Sequence, residues 1–160
     1  MTQYVVVSGN PRPGSRTSTL AVAVGNALAG SSQPTVIEVG DLGPGLLTPG
    51  DAATAEAVTA LREADVLVVA TPTYKGSYTG VLKVLLDQLP AQALAGKRAV
   101  PVVTAGVAPQ AAAAEALLRQ LLTELGADVA PGLPVVEAEL AETAALAEKY
   151  AATFSSPTGS

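Results

Sequence analysis

Apolar and polar blocks alternate along the chain at two different periods. Tyr4–Val7 is a short β-branched run, which predicts a buried parallel strand. Thr17–Ala29 carries Leu20, Val24 and Leu28 on one helical face, and Gly30 ends it. Thr35–Val39 predicts a second strand, and the Gly/Pro-rich Gly40–Gly50 predicts a loop. Asp51 is placed to cap a helix that runs to about Ala64. Asp65–Ala70 is the clearest strand in the chain. Thr71–Thr79 predicts a loop, because Pro72 cannot extend a ladder. Gly80–Leu89 is almost continuously apolar and predicts a helix covered on more than one side. Lys97–Thr104 predicts a fourth strand, in which Pro101 suggests a bulge or an irregular edge. Pro109–Leu125 predicts a helix begun by its proline and stopped by Gly126. A weak fifth strand is expected near Asp128–Val136, its extent left open by Pro131 and Pro134. Ala138–Phe154 predicts the last helix, and Ser155–Ser160 a frayed, disordered tail.

Strands alternating with helices imply an α/β fold, a parallel sheet with helices on both faces. No internal repeat and no second domain is visible, so residues 1–154 are expected to form one domain. Ligands of such sheets sit beyond the carboxyl ends of the strands. That points to three loops: Ser8–Ser18, Thr71–Thr79 and Ala105–Ala108.

Composition narrows the chemistry. Hydrophobic residues make up 49% and charged residues 14% of 160 residues, which suits a packed core rather than a disordered chain. A formal net charge of -5 argues against nucleic acid as a partner. With no Cys and no His, disulfides, thiol catalysis, zinc fingers and imidazole acid–base chemistry are excluded. The start of the chain lacks a basic segment followed by an apolar one, and no apolar run reaches the length of a membrane span. A cytoplasmic protein without a membrane partner is expected.

The loop Ser8–Thr19, SGNPRPGSRTST, follows the first strand, where phosphates are commonly held. It does not match the dinucleotide fingerprint G-x-G-x-x-G. Gly9 and Gly14 have the Walker A spacing, but Ser15 stands in place of the Lys and Arg16 in place of the Mg²⁺-binding hydroxyl. A third type fits: backbone N–H groups at a helix start, the hydroxyls of Ser15, Thr17 and Ser18, and Arg12 sharing a phosphate monoester without metal. The same residues also suit an ordinary Ser/Thr cap in a Pro/Gly turn. In the second loop, Gly76 lets backbone approach a flat ligand, and Tyr74 or Tyr78 suits packing beside a ring or anchoring the loop.

The motifs SGNPRPGSRTST, ATPTYKGSYTGVLKVLLDQLP and ALAGKRAVPVVTAG, in this order, resemble the NAD(P)H-dependent FMN reductase family over about Tyr4–Ala127. The likeness is greatest to flavin reductases that serve two-component alkanesulfonate monooxygenases. It implies a flavodoxin-like three-layer sandwich with a parallel five-stranded sheet of order 2-1-3-4-5. It implies FMN as cofactor and NADPH or NADH as hydride donor. Carried over by position, the phosphate falls to Asn10, Arg12, Ser15, Thr17 and Ser18. The ring falls to Pro72, Thr73, Tyr74, Lys75 and Gly76, and its polar edge to Thr104, Ala105 and Gly106. Arg16 and Lys75 are candidates for the NAD(P)H phosphates, with solvated surface charge as the alternative.

The chain departs from the family pattern at Asn10, often Ser, at Ala105, often Gly, and at Gln110, often His. Ala116 stands where some members dedicated to a monooxygenase carry an aromatic residue. The expected function is an NAD(P)H:FMN oxidoreductase that supplies reduced FMN to a partner monooxygenase, with no side-chain acid or base in the hydride step. The alternatives are a quinone- or azo-type reductase with bound FMN, and a flavodoxin-like electron carrier. A homodimer or homotetramer is expected, since Gly80–Leu89 and the Ala-rich Ala111–Leu122 offer more apolar surface than one sheet covers.

Overall fold

Val5, Val6 and Val7 are all buried, because the strand they form has a neighbour on each edge and helices over each face. The computed structural model describes residues 1–154. The order of elements is β1 (Tyr4–Ser8), α1 (Arg16–Ala29), β2 (Thr35–Glu38), α2 (Val39–Leu42), α3 (Ala52–Glu63), β3 (Val66–Pro72), α4 (Gly80–Leu86), β4 (Arg98–Ala105), α5 (Ala108–Glu124), β5 (Asp128–Val129), β6 (Leu133–Val136) and α6 (Thr143–Thr153). The strands are parallel in the order β2-β1-β3-β4-β5, and β6 also pairs with β4. Six strand segments therefore fill the flavodoxin-like 2-1-3-4-5 order expected from the sequence.

Strand alternation divides the core between the two faces. Val5, Val7, Leu67, Val69 and Val103 pack with Leu61, Leu82, Leu85 and Leu118 on one face. Val6, Val68, Val100 and Val102 pack with Leu20, Val24, Ala147 and Tyr150 on the other. Gly25 lies directly over β1, and a methyl group there would meet Val6 Cγ2 at 2.3 Å. The Tyr150 hydroxyl donates to the Pro131 carbonyl, and burial pushes its phenol up to about 12.

Pro72, Pro101 and Pro134 all lie inside strands, Pro134 paired in register with Val103. Pro101 pairs in register with Val69, and β4 shows no bulge there. The Lys97 and Ala99 carbonyls accept from Asp128 and Ala130, so the odd residues of β4 address the fifth-strand side. Pro101 consequently directs its missing N–H at the gap between β5 and β6. Pro72 ends β3 opposite Thr104, correcting the loop expected to begin at Thr71. Its N faces the β1 side, and β1 already ends at Ser8, opposite Ala70. For Pro72 and Pro101 the carbonyl that a regular ladder would pair with the proline's nitrogen accepts from a side chain instead, Gly9 from the Thr79 hydroxyl and Ala130 from the Arg119 guanidinium.

Other differences are local. Gly40–Gly50 is not plain loop: α2 ends there, and a 3₁₀ turn, Gly43–Leu47, buries Leu46 against the core. Helix α4 stops at Leu86, with Leu82, Leu85 and Leu86 buried and Val81 and Val84 half-buried. The last helix begins at Thr143, after a 3₁₀ turn over Glu137–Glu142. Glu139 closes that turn by accepting from the Val136 N–H at 3.0 Å. The tail expected at Ser155–Ser160 lies outside the described residues. No helix among the described residues is long and apolar enough to cross a membrane.

Candidate functional site

β1, β3 and β4 all end at one edge of the sheet, and a cavity of ≈ 390 Å³ lies beyond their carboxyl ends. Its walls bring together Asn10, Arg12, Ser15, Arg16 and Thr17 of the first loop, Pro72 and Tyr74 of the second, and Thr104 of the third. Residues 94 positions apart in sequence thus meet because their strands end side by side around β3, Asn10 following β1 and Thr104 standing one residue before the end of β4.

The first loop is shaped by its own polar groups. Asn10 Oδ1 accepts from the Arg12 N–H at 2.9 Å, an Asx turn that aims the chain outward after β1. Gly14 has a φ of 70°, which a side chain would strain. Ser15 is the N-cap of α1, its hydroxyl accepting from the Ser18 N–H at 3.2 Å. Thr17 and Thr104 share a hydroxyl–hydroxyl bond of 2.9 Å that joins α1 to β4. Gly9 N–H donates to Ala70 at 2.7 Å, and the Thr79 hydroxyl donates to the Gly9 carbonyl at 2.6 Å. The loop is therefore tied to β3 and to the cap of α4. Among the described residues, no carboxylate pairs with Arg12, so its guanidinium is a free cation on the cavity wall.

The second loop is a tight hairpin. Tyr74 and Ser77 exchange backbone bonds of 2.9 and 3.2 Å. Lys75 and Gly76 between them have φ of 55° and 79°, the pattern of a type I′ turn. The turn leaves Tyr74 46% exposed at the cavity. Tyr78 packs instead against the core beside α4. The Thr73 hydroxyl donates to the Thr104 carbonyl at 2.9 Å and locks the second loop to the third.

Several sequence candidates lie off the cavity wall. Ser18 is buried behind it, its hydroxyl engaged with Ser8 at 2.5 Å and Glu38 at 2.7 Å. Thr73, Lys75, Gly76, Ala105 and Gly106 flank the cavity without lining it. Arg16 does line it, but its guanidinium lies 3.5 Å from Glu137. Glu38, Glu137 and Leu140 were missed from the sequence. Glu38 ends β2 beside β1, and an acidic residue at the carboxyl end of an adjacent strand is a usable signal. Glu137 and Leu140 carried none, because the 3₁₀ turn that brings them to the cavity was read as helix.

A parallel sheet of this order with helices on both faces, and a loop of hydroxyls and one unpaired Arg leading into α1, defines a flavodoxin-like fold. The family model for NADPH-dependent FMN reductase matches residues 2–140, and the chain belongs to that family. An FMN reductase (NADPH) of Escherichia coli (strain K12) is 46% identical over 67 residues, 42% of this chain and 35% of the relative. The chain thus aligns with about a third of that relative's length. An NADH-dependent FMN reductase, SfnF, of Pseudomonas fluorescens (strain Pf0-1) is 34% identical over 88% of this chain and 79% of its own. Among solved structures, the apo form of an NADH:FMN oxidoreductase (EMOB) superposes with a TM-score of 0.81 at 37% identity, covering 97% of this chain and 91% of that one.

Proposed function

We propose that the chain is an NAD(P)H:FMN oxidoreductase whose cavity at the β1, β3 and β4 ends holds FMN. The observation that carries this is the unpaired Arg12 beside Asn10, Ser15 and Thr17 at the start of α1. A guanidinium, three short polar side chains and the free N–H groups of a helix start are the donor set a phosphate monoester dianion needs. That donor set fits the phosphate of FMN, and the neighbouring Pro72 and Tyr74 give the ring an adjacent wall.

When bound, FMN supplies the redox chemistry, accepting a hydride from the reduced nicotinamide. The chain's residues orient and expose. Arg12, Asn10, Ser15 and Thr17 fix the phosphate end. The Thr17–Thr104 and Thr73–Thr104 bonds hold the third loop against the other two. Among the described residues Tyr74 is the one aromatic on the wall, so a ring placed there keeps an open face. Hydride transfer requires that face, because donor and acceptor must come within about 3–3.5 Å.

The same shortage of aromatics makes FMN a loosely held substrate. Each missing stacking partner forfeits about 0.5–1.5 kcal/mol. The purified protein should be largely colourless, with a dissociation constant of roughly 0.1–10 µM, and should oxidise NADPH or NADH once FMN is added. Anaerobic mixing, with flavin absorbance followed after dialysis, checks this. A protein that stays stoichiometrically yellow is instead a bound-FMN reductase of the quinone or azo type, and one whose flavin is never reduced is an electron carrier.

Delivery of reduced FMN to a flavin-dependent monooxygenase is the role we assign to that exchange. We also assign a homodimer or homotetramer. On α5, Ala112, Ala113, Ala116 and Leu117 face outward, Leu117 with 41% of its surface exposed. Sedimentation at micromolar concentration should show the dimer or tetramer, and a monomer would refute it.

A further inference from the structure

Glu38 brings a negative charge to the loop that is built to hold one. Its two carboxylate oxygens are divided between neighbours on that loop. Oε2 accepts from the Gly14 N–H at 2.9 Å, and Oε1 accepts from the Ser18 hydroxyl at 2.7 Å. Ser18 in turn lies 3.1 Å from the Ser15 hydroxyl, which lines the cavity together with Gly14. The carboxylate is thus bonded directly to one cavity-wall residue, Gly14, and through Ser18 to a second, Ser15. Among the described residues no cation pairs with Glu38, so nothing there offsets its charge.

We propose that Glu38 is a positioning residue with two opposed effects: it braces the phosphate loop, and its charge deliberately weakens that loop's hold on the FMN phosphate. This rests on the reading of the cavity as an FMN site. The brace replaces a ligand that comes and goes, keeping Gly14 and Ser18 in place when no phosphate is bound. The charge repels a dianion held by Ser15, Thr17 and Arg12. Two effects from one side chain suit a flavin that must leave once reduced.

Glu38→Gln separates them: the amide oxygen still accepts from the Gly14 N–H, the amide NH₂ donates to the Ser18 hydroxyl oxygen where the carboxylate accepted, and the charge is lost. FMN should bind about five- to tenfold more tightly to the variant at low salt, as expected for a unit charge and a dianion several ångströms apart near a surface. Riboflavin, which has no phosphate, should bind within about twofold of its original strength. The gain for FMN should shrink as ionic strength rises. Both flavins are titrated by fluorescence against both proteins, with thermal unfolding as a check on the fold. An FMN affinity that is unchanged or weaker, beside an unchanged riboflavin affinity, overturns the role of the charge. Equal tightening of both flavins overturns it too, since that is a change of shape. If the unaltered protein binds neither flavin, the FMN reading falls, and this proposal with it. Should Glu38→Gln unfold, titrating FMN and riboflavin against Glu38→Asp decides: the charge is kept, so an FMN-specific tightening there overturns the proposal, and its absence supports it.

Discussion

Arg12→Ala is expected to weaken FMN binding about 10- to 100-fold while leaving riboflavin within about twofold. Charge-assisted hydrogen bonds contribute about 1.5–3 kcal/mol each, and every 1.4 kcal/mol is a factor of ten. Arg12 meets the conditions for the full value to appear. Its guanidinium has no carboxylate partner among the described residues, so none is left stranded when it is removed. Its contribution to the loop is a backbone one, the N–H that Asn10 Oδ1 accepts, and alanine retains it. Arg12→Lys should recover only part of the loss, since an ammonium cannot offer two parallel donors to one phosphate. Titrating both flavins into the three proteins measures the effect. Equal losses for FMN and riboflavin would mean that Arg12 contacts the ring or holds the loop, and the phosphate site would have to lie elsewhere.

What the sequence made legible follows from where periodicity is strong. The run from Val66 to Ala70 and the Leu20–Val24–Leu28 face could be read because every side chain in them packs in or against the core. The first loop could be read as cavity wall because it follows β1, and clefts of parallel sheets lie beyond the carboxyl ends of their strands. The prolines could not. Whether Pro72 or Pro101 breaks a strand depends on which edge its missing N–H faces and whether a neighbour is still running there. That is a property of the assembled sheet, not of the segment. Ser18 illustrates the same limit within the site. It has the right chemistry at the right spacing, yet its place on α1 turns it inward to Ser8 and Glu38. Glu38 is the converse case. It lies 20 positions from Ser18 in sequence and meets it only because β2 pairs with β1. Polar networks between strand ends are set by strand order, so the residues that complete the loop were the ones least visible beforehand.

The same dependence makes Gly40 a sensitive position outside the cavity. It belongs to α2, just past β2, where no side chain lines the cavity, and its φ lies outside the left-handed region, so backbone conformation does not demand glycine. Space does. A Cβ built at Gly40 would lie 2.3 Å from the Pro11 carbonyl oxygen and 3.0 Å from that of Asn10. Both are backbone atoms, so no rotamer change relieves the contact. Gly40→Ala must therefore push the first loop outward or α2 away from it. The loop yields more readily, because α2 is anchored by the fully buried Val39. Asn10 and Arg12 flank Pro11, and both would move with it. A displacement of about 1 Å in a positioned group can cost on the order of 100-fold in rate, so kcat/KM for FMN should fall by about that factor. Gly80→Ala is the matched control: its added methyl meets nothing within 4 Å, and both activity and stability should stay close to the parent's. Steady-state kinetics at varied FMN, beside thermal unfolding of both variants, tests the pair. A Gly40→Ala enzyme with unchanged kcat/KM would mean that the loop absorbs the shift without moving Arg12, and the precise seating of the loop on α2 would then have no part in catalysis.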